Sequence, residues 1–197
     1  MVYLKLIIGC MFSSKTSSLL SEINRYKHIT DKILVINSIL DKERQTHNEN
    51  VIETHDNKHW PAFMVNTLQE LKTNYHYKQK YDNAEIIIID EGQFYNDLYT
   101  FIKDELFSQT NKKIFIVAGL SGDYNMEPIG DIIKLVPLAD EIIKLEAYCI
   151  YCKDGTLASF TSKLPNAHNN SQIIIGKGDI YAPCCRNHFL SFYKSNS

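Results

Sequence analysis

Lys15 and Thr16 follow Gly9 across a short loop in the stretch LKLIIGCMFSSKT, residues 4–16. An apolar strand, a glycine turn, a Lys-Thr pair and a helix form the arrangement that binds phosphate. Backbone N–H groups at the helix start face the anion, the lysine reaches the outer phosphates, and the threonine hydroxyl ligates magnesium. The pattern G-x-x-x-x-G-K-[ST] is met at Gly9, Lys15 and Thr16 and departs at Ser14, where the second glycine would stand. The loop 9–16 (Gly9, Cys10, Met11, Phe12, Ser13, Ser14, Lys15, Thr16) is therefore the candidate ATP-phosphate cradle. A second group of chemically capable residues, Asp90, Glu91 and Gln93, stands at and just after the end of the apolar run EIIIID, with Asp90 and Gln93 assigned to binding the nucleotide. In open parallel sheets ligands bind outside the carboxyl ends of strands. Asp90 is assigned to magnesium through water, as the acid that completes a phosphate-loop site. Glu91 points differently and can serve as a base. A third group, Cys149-x-x-Cys152 and Cys185-x-x-His188, has the spacing of a tetrahedral structural zinc site. Cys184 competes with Cys185 as a ligand, and the x-x spacing to His188 favours Cys185. Cys10 belongs to the phosphate loop.

These groups need elements to hold them. Residues 4–8, 33–36, 85–90, 114–120 and 141–145 are apolar runs that suit buried strands, and four consecutive isoleucines at 86–89 suit a strand covered on both faces. Helical spacing is present over 17–26, 62–75 and 98–107, and 132–138 supplies a helix or turn. Residues 41–57 are polar and irregular, a surface or site-lining loop broken by Trp60-Pro61. Strands alternating with helices indicate an α/β fold with a mainly parallel sheet flanked by helices, of the P-loop NTPase type. Near Ala147 the composition changes to cysteines, glycines and turn residues. The chain is divided there into an ATP-binding unit, 1–146, and a small zinc-ribbon unit, 147–197. Residues 157–181 run between the two metal-binding pairs, and suit either a loop that closes over a substrate or a surface β-hairpin.

Composition narrows the function classes. The chain has 197 residues, 44% hydrophobic and 22% charged, with a net charge of −2, so no global basic field attracts nucleic acid. No apolar run approaches a membrane span, and the N-terminal apolar stretch is too short for a signal peptide. Five cysteines without a secretion signal suggest reduced thiols and a cytoplasmic location.

With these residues in view the sequence resembles the type II thymidine kinases, the cellular and poxviral kind, over nearly its whole length. Their phosphate loop GPMFSGKS/T resembles GCMFSSKT here, and their DEGQF stands intact at 90–94. Their THD followed by Asn is echoed at Thr54, His55, Asp56 and Asn57, and their ALDGTF resembles residues 119–124. Their ASF-S/T-KR resembles residues 158–163, and their IIGG-x-D-x-Y with its following metal ligands resembles 174–181 and 185–188.

The resemblance implies transfer of the γ-phosphoryl group of ATP to the 5′-hydroxyl of thymidine, with magnesium as cofactor and zinc in a structural role. It implies Glu91 as the base and Asp56 near the reacting groups. Met11, Leu120 and Thr161 would border the 5-methyl group of thymine, so that thymidine and deoxyuridine are favoured over larger bases. Phe94, Tyr124, Phe160 and Tyr181 would form aromatic walls, and Gln172, Ile173, Ile174, Ile175 and Gly176 would offer backbone groups to the base. It further implies a homotetramer, feedback inhibition by thymidine triphosphate, and no stable nucleic-acid or membrane partner. The chain departs from the family at Cys10 (a proline there), Ser14, Ser121, Tyr124 and His188. A Cβ at Ser14 is expected to crowd the phosphates or strain the loop. Two other readings stay open from sequence. One is a different P-loop kinase or ATPase, whose turnover would not depend on thymidine. The other is a zinc-ribbon nucleic-acid binder, for which Lys153, Lys163, Lys177 and Arg186 speak and Asp154 and Asp179 speak against.

Overall fold

β1 (Tyr3–Gly9) leads through the phosphate loop into α1 (Lys15–Lys27), and β2 (Ile33–Ser38) follows. In this computed structural model residues 2–44, 50–54, 56, 58–108, 112–164 and 180–195 are described. A 3-10 turn over Ile39–Arg44 precedes a hairpin of β3 (Val51–Glu53) and β4 (His59–Pro61), after which comes β5 (Phe63–Val65). α2 (Glu70–Thr73) and α3 (Tyr75–Asn83) lead to β6 (Ile86–Ile89), and α4 (Leu98–Phe107) to β7 (Ile114–Leu120). A 3-10 stretch over Ile132–Leu138 then leads to β8 (Glu141–Leu145). The sheet has six strands in the order β5-β2-β6-β7-β1-β8, and every neighbouring pair is parallel.

The apolar runs explain the layers. Successive strand side chains point to opposite faces, so Ile87 and Ile89 join Leu4, Leu6, Phe115 and Val117 in one core, packed against Leu98, Phe101 and Ile102 of α4. Ile86 and Ile88 join Ile7, Ile116 and Ala118 in the other, packed against Leu19 and Ile23 of α1. Both faces of the sheet are thereby kept from water, which is why the strands read as continuous rather than alternating hydrophobics. At the edge beside β8, buried Lys5 pairs with Glu22 of α1 at 3.0 Å and with Glu141 at 3.1 Å, locking helix and sheet in register.

Two sequence expectations are corrected. Residues 62–75 are not one helix: 63–65 form β5, paired in parallel with β2, and only Glu70–Thr73 is helical before α3 begins. Local carboxylates decide this. Asp97 accepts from the N–H groups of Leu68 and Gln69 at 3.1 and 2.8 Å, and Glu70 accepts from those of Asn66 and Thr67 at 3.1 and 3.0 Å. They satisfy the donors of a turn between strand and helix. α3 starts at Asn74, whose side chain accepts from the His76 N–H at 3.0 Å, an ordinary N-cap. Within the polar 41–57 stretch, Ile52 is fully buried in the α1-side core, and Val51–Glu53 pairs antiparallel with His59–Pro61.

After β8 the elements are short. β9 (Ala147–Tyr148) pairs with β10 (Leu157–Ala158), β11 (Phe160–Lys163) pairs with β12 (Tyr181–Cys184), and α5 (Arg186–Ser195) closes the described chain. The two arms of the 157–181 segment are thus antiparallel strands. Its tip, with residues 172–176, lies outside the described residues. No helix among the described residues is long and apolar enough to cross a membrane.

Tyr95 is fully buried in the α4-side core, and its hydroxyl has no hydrogen-bond partner among the described residues. An unpartnered buried hydroxyl carries a desolvation cost of about 1–3 kcal/mol. Tyr95→Phe is expected to raise stability by about 1 kcal/mol in urea unfolding, with an unchanged slope. A loss of stability would instead reveal a partner for the hydroxyl.

Candidate active site

The site lies at the carboxyl ends of β1, β6 and β7. Gly9 is required there by close approach: a Cβ would stand 2.6 Å from the carbonyl oxygen of Leu145. The loop then turns through two left-handed residues, Phe12 at φ 64° and Ser14 at φ 63°. Ser14 precedes the first residue of α1, so the position where the sequence pattern expects glycine does adopt a backbone that favours glycine. For an L-residue this conformation costs about 1–2 kcal/mol. Inside the loop, Ser13 Oγ and Lys15 Nζ both donate to the carbonyl of Cys10 at 2.8 Å. The buried lysine is therefore folded back over the loop it serves.

Thr16 Oγ1 donates to Asp90 Oδ2 at 2.9 Å, joining the start of α1 to the end of β6. Asp90 is fully enclosed. Burial pushes its carboxyl up to about 7, aided by the negative charges of Glu91 and Asp41 and opposed by the Thr16 hydrogen bond. Two hard oxygen donors at this separation are of the kind that could hold a magnesium ion. Glu91 follows in the left-handed region at φ 51°, and its Oε2 accepts from Gln93 Nε2. Phe94 is buried just beyond, its N–H donating to the Glu91 carbonyl at 3.0 Å.

Beside these groups Met11, Leu120, Ile129 and Tyr181 pack into one buried cluster, with Phe12, Tyr124 and Ile180 against it. Tyr124 and Tyr181 have ring centroids 6.3 Å apart, and the Met11 N–H donates to Thr161 Oγ1 at 3.0 Å. Met11, Leu120, Thr161, Tyr124 and Tyr181 are thus brought together from four parts of the chain. Phe160 is not brought to this wall. Strand alternation turns it away from Thr161 into a separate core, 5.8 Å from the Phe189 ring and under the Arg186 guanidinium at 4.6 Å. Asp56 is exposed and lines, with Ser17, Asn24, Arg25 and Lys58, a cavity of about 460 Å³ along α1, so it is not gathered into the cluster either. His55 and Asn57 lie outside the described residues.

Sequence reasoning passed over Asp123, whose buried carboxylate accepts from the N–H groups of Asn125 and Glu127 at 2.8 and 2.9 Å and so shapes the loop carrying Tyr124. It also passed over Gly130, at φ 57°, which packs on the backbone of Gln93. An isolated glycine between Ile129 and Asp131 was the only available signal.

Cys149, Cys152, Cys185 and His188 converge, with ligand atoms all within 4.8 Å of one another. Cys152 and Cys185 sulfurs are 3.7 Å apart, and His188 Nδ1 lies 3.6, 3.4 and 3.3 Å from Cys149, Cys152 and Cys185. A tetrahedron with Zn–S bonds of about 2.3 Å has S···S edges of about 3.8 Å, so the four side chains could hold a zinc ion. Burial pushes the Cys149 thiol up, yet backbone N–H donors of Cys185, Cys152 and Tyr151 outweigh it and hold it at about 6, close to the thiolate a metal needs. Cys184 points elsewhere: it is fully buried, and burial pushes its thiol up to about 11. The cluster thus gathers Cys185, and not Cys184, with the other three side chains. Cys10 joins this second core with Cys184 and Phe189, and its Sγ donates to the Ala158 carbonyl at 3.2 Å.

A parallel α/β sheet whose first strand ends in a glycine loop, with Lys-Thr opening the helix and a carboxylate at the end of β6, two strands away, has the form of a P-loop nucleotide-binding protein. The thymidine kinase family profile matches residues 2–189. The thymidine kinase of Yaba monkey tumor virus is 35% identical across 99% of this chain and 97% of its own. That of Amsacta moorei entomopoxvirus is 40% identical over 93% of this chain and 95% of its own, and thymidine kinase a of Arabidopsis thaliana is 34% identical over 94% and 74%. The chain belongs to the thymidine kinase family.

Ser14→Gly removes the left-handed strain and is expected to stabilise the protein by about 1 kcal/mol, or roughly 2–4 °C in melting temperature. An unchanged melting temperature would mean that the strain released is no larger than the unfolded-state entropy the glycine adds. For the metal cluster, Cys185→Ser should abolish stoichiometric zinc and Cys184→Ser should retain it, as read by elemental analysis of the purified protein. The opposite pattern would overturn the ligand set.

Proposed function

We propose that the chain transfers the γ-phosphoryl group of ATP to the 5′-hydroxyl of thymidine, with Glu91 taking the hydroxyl proton. The observation that carries the reading is the convergence, at one end of the sheet, of the phosphate loop, the Thr16–Asp90 hydrogen bond and the Met11–Leu120–Tyr124–Tyr181 cluster. Phosphoryl transfer asks a protein for alignment and charge stabilisation more than for covalent chemistry. In this reading residues 9–16 wrap the triphosphate with N–H groups at the start of α1, and Lys15 exchanges the Cys10 carbonyl for phosphate oxygens. Thr16 and Asp90 would hold magnesium, which would supply positive charge to offset that of the phosphates. The cluster receives thymine, and Thr161 and Leu120 limit the space at its 5-position. Deoxyuridine, lacking only the methyl group, is then a substrate as well. Glu91 accepts the 5′-hydroxyl proton as the oxygen attacks the γ-phosphorus, and the bond to the bridging oxygen breaks to release ADP.

The finer assignments follow the same line. Residues 172–176 supply backbone groups to the base, and zinc held by Cys149, Cys152, Cys185 and His188 stabilises a C-terminal unit, 147–197, too small to build its own core. A homotetramer, inhibition by thymidine triphosphate and a cytoplasmic location complete the proposal, on the strength of the family resemblance and of thiols suited to a reducing compartment.

The decisive experiment follows label from γ-labelled ATP into thymidine monophosphate in the presence of magnesium. Wild type is expected to form product, and Glu91→Gln to lose about 10²–10⁴-fold in kcat. Product with an undiminished Glu91→Gln would retain the kinase and remove Glu91 as its base. ATP turnover independent of thymidine would point to a different phosphotransferase.

A further inference from the structure

The amide of Gln93 is nearly sealed from solvent, 2% exposed, inside the 3-10 turn Gly92–Phe94. Both of its ends are occupied by protein. The Leu120 N–H donates to Oε1 at 3.0 Å, and Nε2 donates to Glu91 Oε2. The orientation is forced: a backbone N–H can be met only by the amide oxygen, so the amide NH₂ must face the carboxylate. Two glycines hold the turn in this state. A Cβ at Gly119 would run into the amide oxygen of Gln93 and would stand 3.2 Å from the Gly92 nitrogen. A Cβ at Gly130, itself at φ 57°, would stand 2.9 Å from the carbonyl carbon of Gln93. Glu91 has a left-handed backbone, so its side chain leaves the strand end in a direction that regular structure does not support, and an outside tether is needed to aim it.

We infer that Gln93 is a positioning residue, a strut that aims the Glu91 carboxylate and joins it to the backbone of Leu120 in the apolar cluster. This rests on the reading of Glu91 as the base. The hydrogen bond to Oε2 is a charge-assisted one and fixes the direction in which the carboxylate faces. It also replaces the assignment of Gln93 as a nucleotide ligand, since the amide is nearly sealed from solvent and each end already bonds to protein. Because Leu120 borders the cluster while its N–H holds the strut, the wall that receives the base and the group that receives the proton move as one piece. A small misalignment of a reacting group can cost about 10²-fold in rate, and the strut removes that freedom.

The test is the steady-state phosphorylation of thymidine by wild type, Gln93→Met, Glu91→Gln and the double variant. Gln93→Met keeps the length of the side chain and removes both hydrogen bonds. It is expected to lower kcat by about 30–100-fold, with KM for ATP and for thymidine staying within about threefold. On the Glu91→Gln background it should add less than about twofold, because a residue acting through Glu91 has nothing further to lose. If Gln93→Met does not fold, Gln93→Glu serves: it keeps the acceptor for Leu120, replaces the donor by a carboxylate against Glu91, and should give the same pattern. Losses that multiply across the two positions, or a rise in KM for ATP at undiminished kcat, would overturn the inference. Collapse of Glu91→Gln beside an active Gln93→Met would remove the strut alone. An active Glu91→Gln would remove the base assignment and the strut with it.

Discussion

The hydrogen bond from Thr16 to Asp90 is the constraint on which the rest of the site depends. β1 and β6 are not neighbours; β7 stands between them. The bond can form only if all three strands are parallel, end at one level and carry their loops on the same side. The register does this, with Gly9 opposite Leu120 and Ile89 opposite Val117. Two fully covered faces hold that register, because a shift by one residue would exchange the two cores along the whole strand. Asp90 in turn is costly to bury, and its raised proton affinity records that cost. The isoleucine runs supply the rigidity that keeps the carboxyl in place.

Three of the five left-handed non-glycine residues among the described ones lie where chemistry is proposed, the others being Met126 and Lys153. Phe12, Ser14 and Glu91 all take left-handed backbones, and each sits in the phosphate loop or at the strand-end carboxylate pair. Such conformations persist only where the surroundings determine them. Here that determination comes from neighbours: Cys10 carbonyl bonded by Ser13 and Lys15, Thr161 bonded to Met11, and the turn after Glu91 pinned between Gly119 and Gly130. Ser14 and Glu91 both precede their helical turns without a side-chain cap.

Much of this was legible in the residues. The isoleucine-rich segments located the central strands, and 98–107, 114–120 and 141–145 have the observed bounds. The phosphate loop, Asp90-Glu91 and the cysteine-histidine pairs were recognisable because their spacing is itself chemical. What escaped was set by tertiary context. Val65, Leu68 and Leu71 have helical spacing, yet they are buried through a strand, a turn and a short helix, since carboxylates of Glu70 and Asp97 capture the intervening N–H groups. Val51 and Ile52 are too few to announce β3 within a polar stretch, and α5 follows directly on Cys185. Side-chain direction was equally hidden. Phe160 and Thr161 are adjacent in sequence, but a strand sends them to different cores.

Cys10 ties the first loop of the chain to its last elements. Its sulfur reaches the Ala158 carbonyl, and the next residue reaches Thr161, across 148 and 150 positions. A ribosome delivers these partners at very different times. The sheet can assemble as its strands emerge, and distant closures of this kind are the slow part of folding. The phosphate loop, though among the earliest segments made, takes its final shape only after the cysteine-rich end has been synthesised and folded. Maturation of the site therefore runs backwards along the chain, from the C-terminal elements to the N-terminal loop, and a truncated nascent product would carry an unfinished nucleotide cradle on a finished sheet.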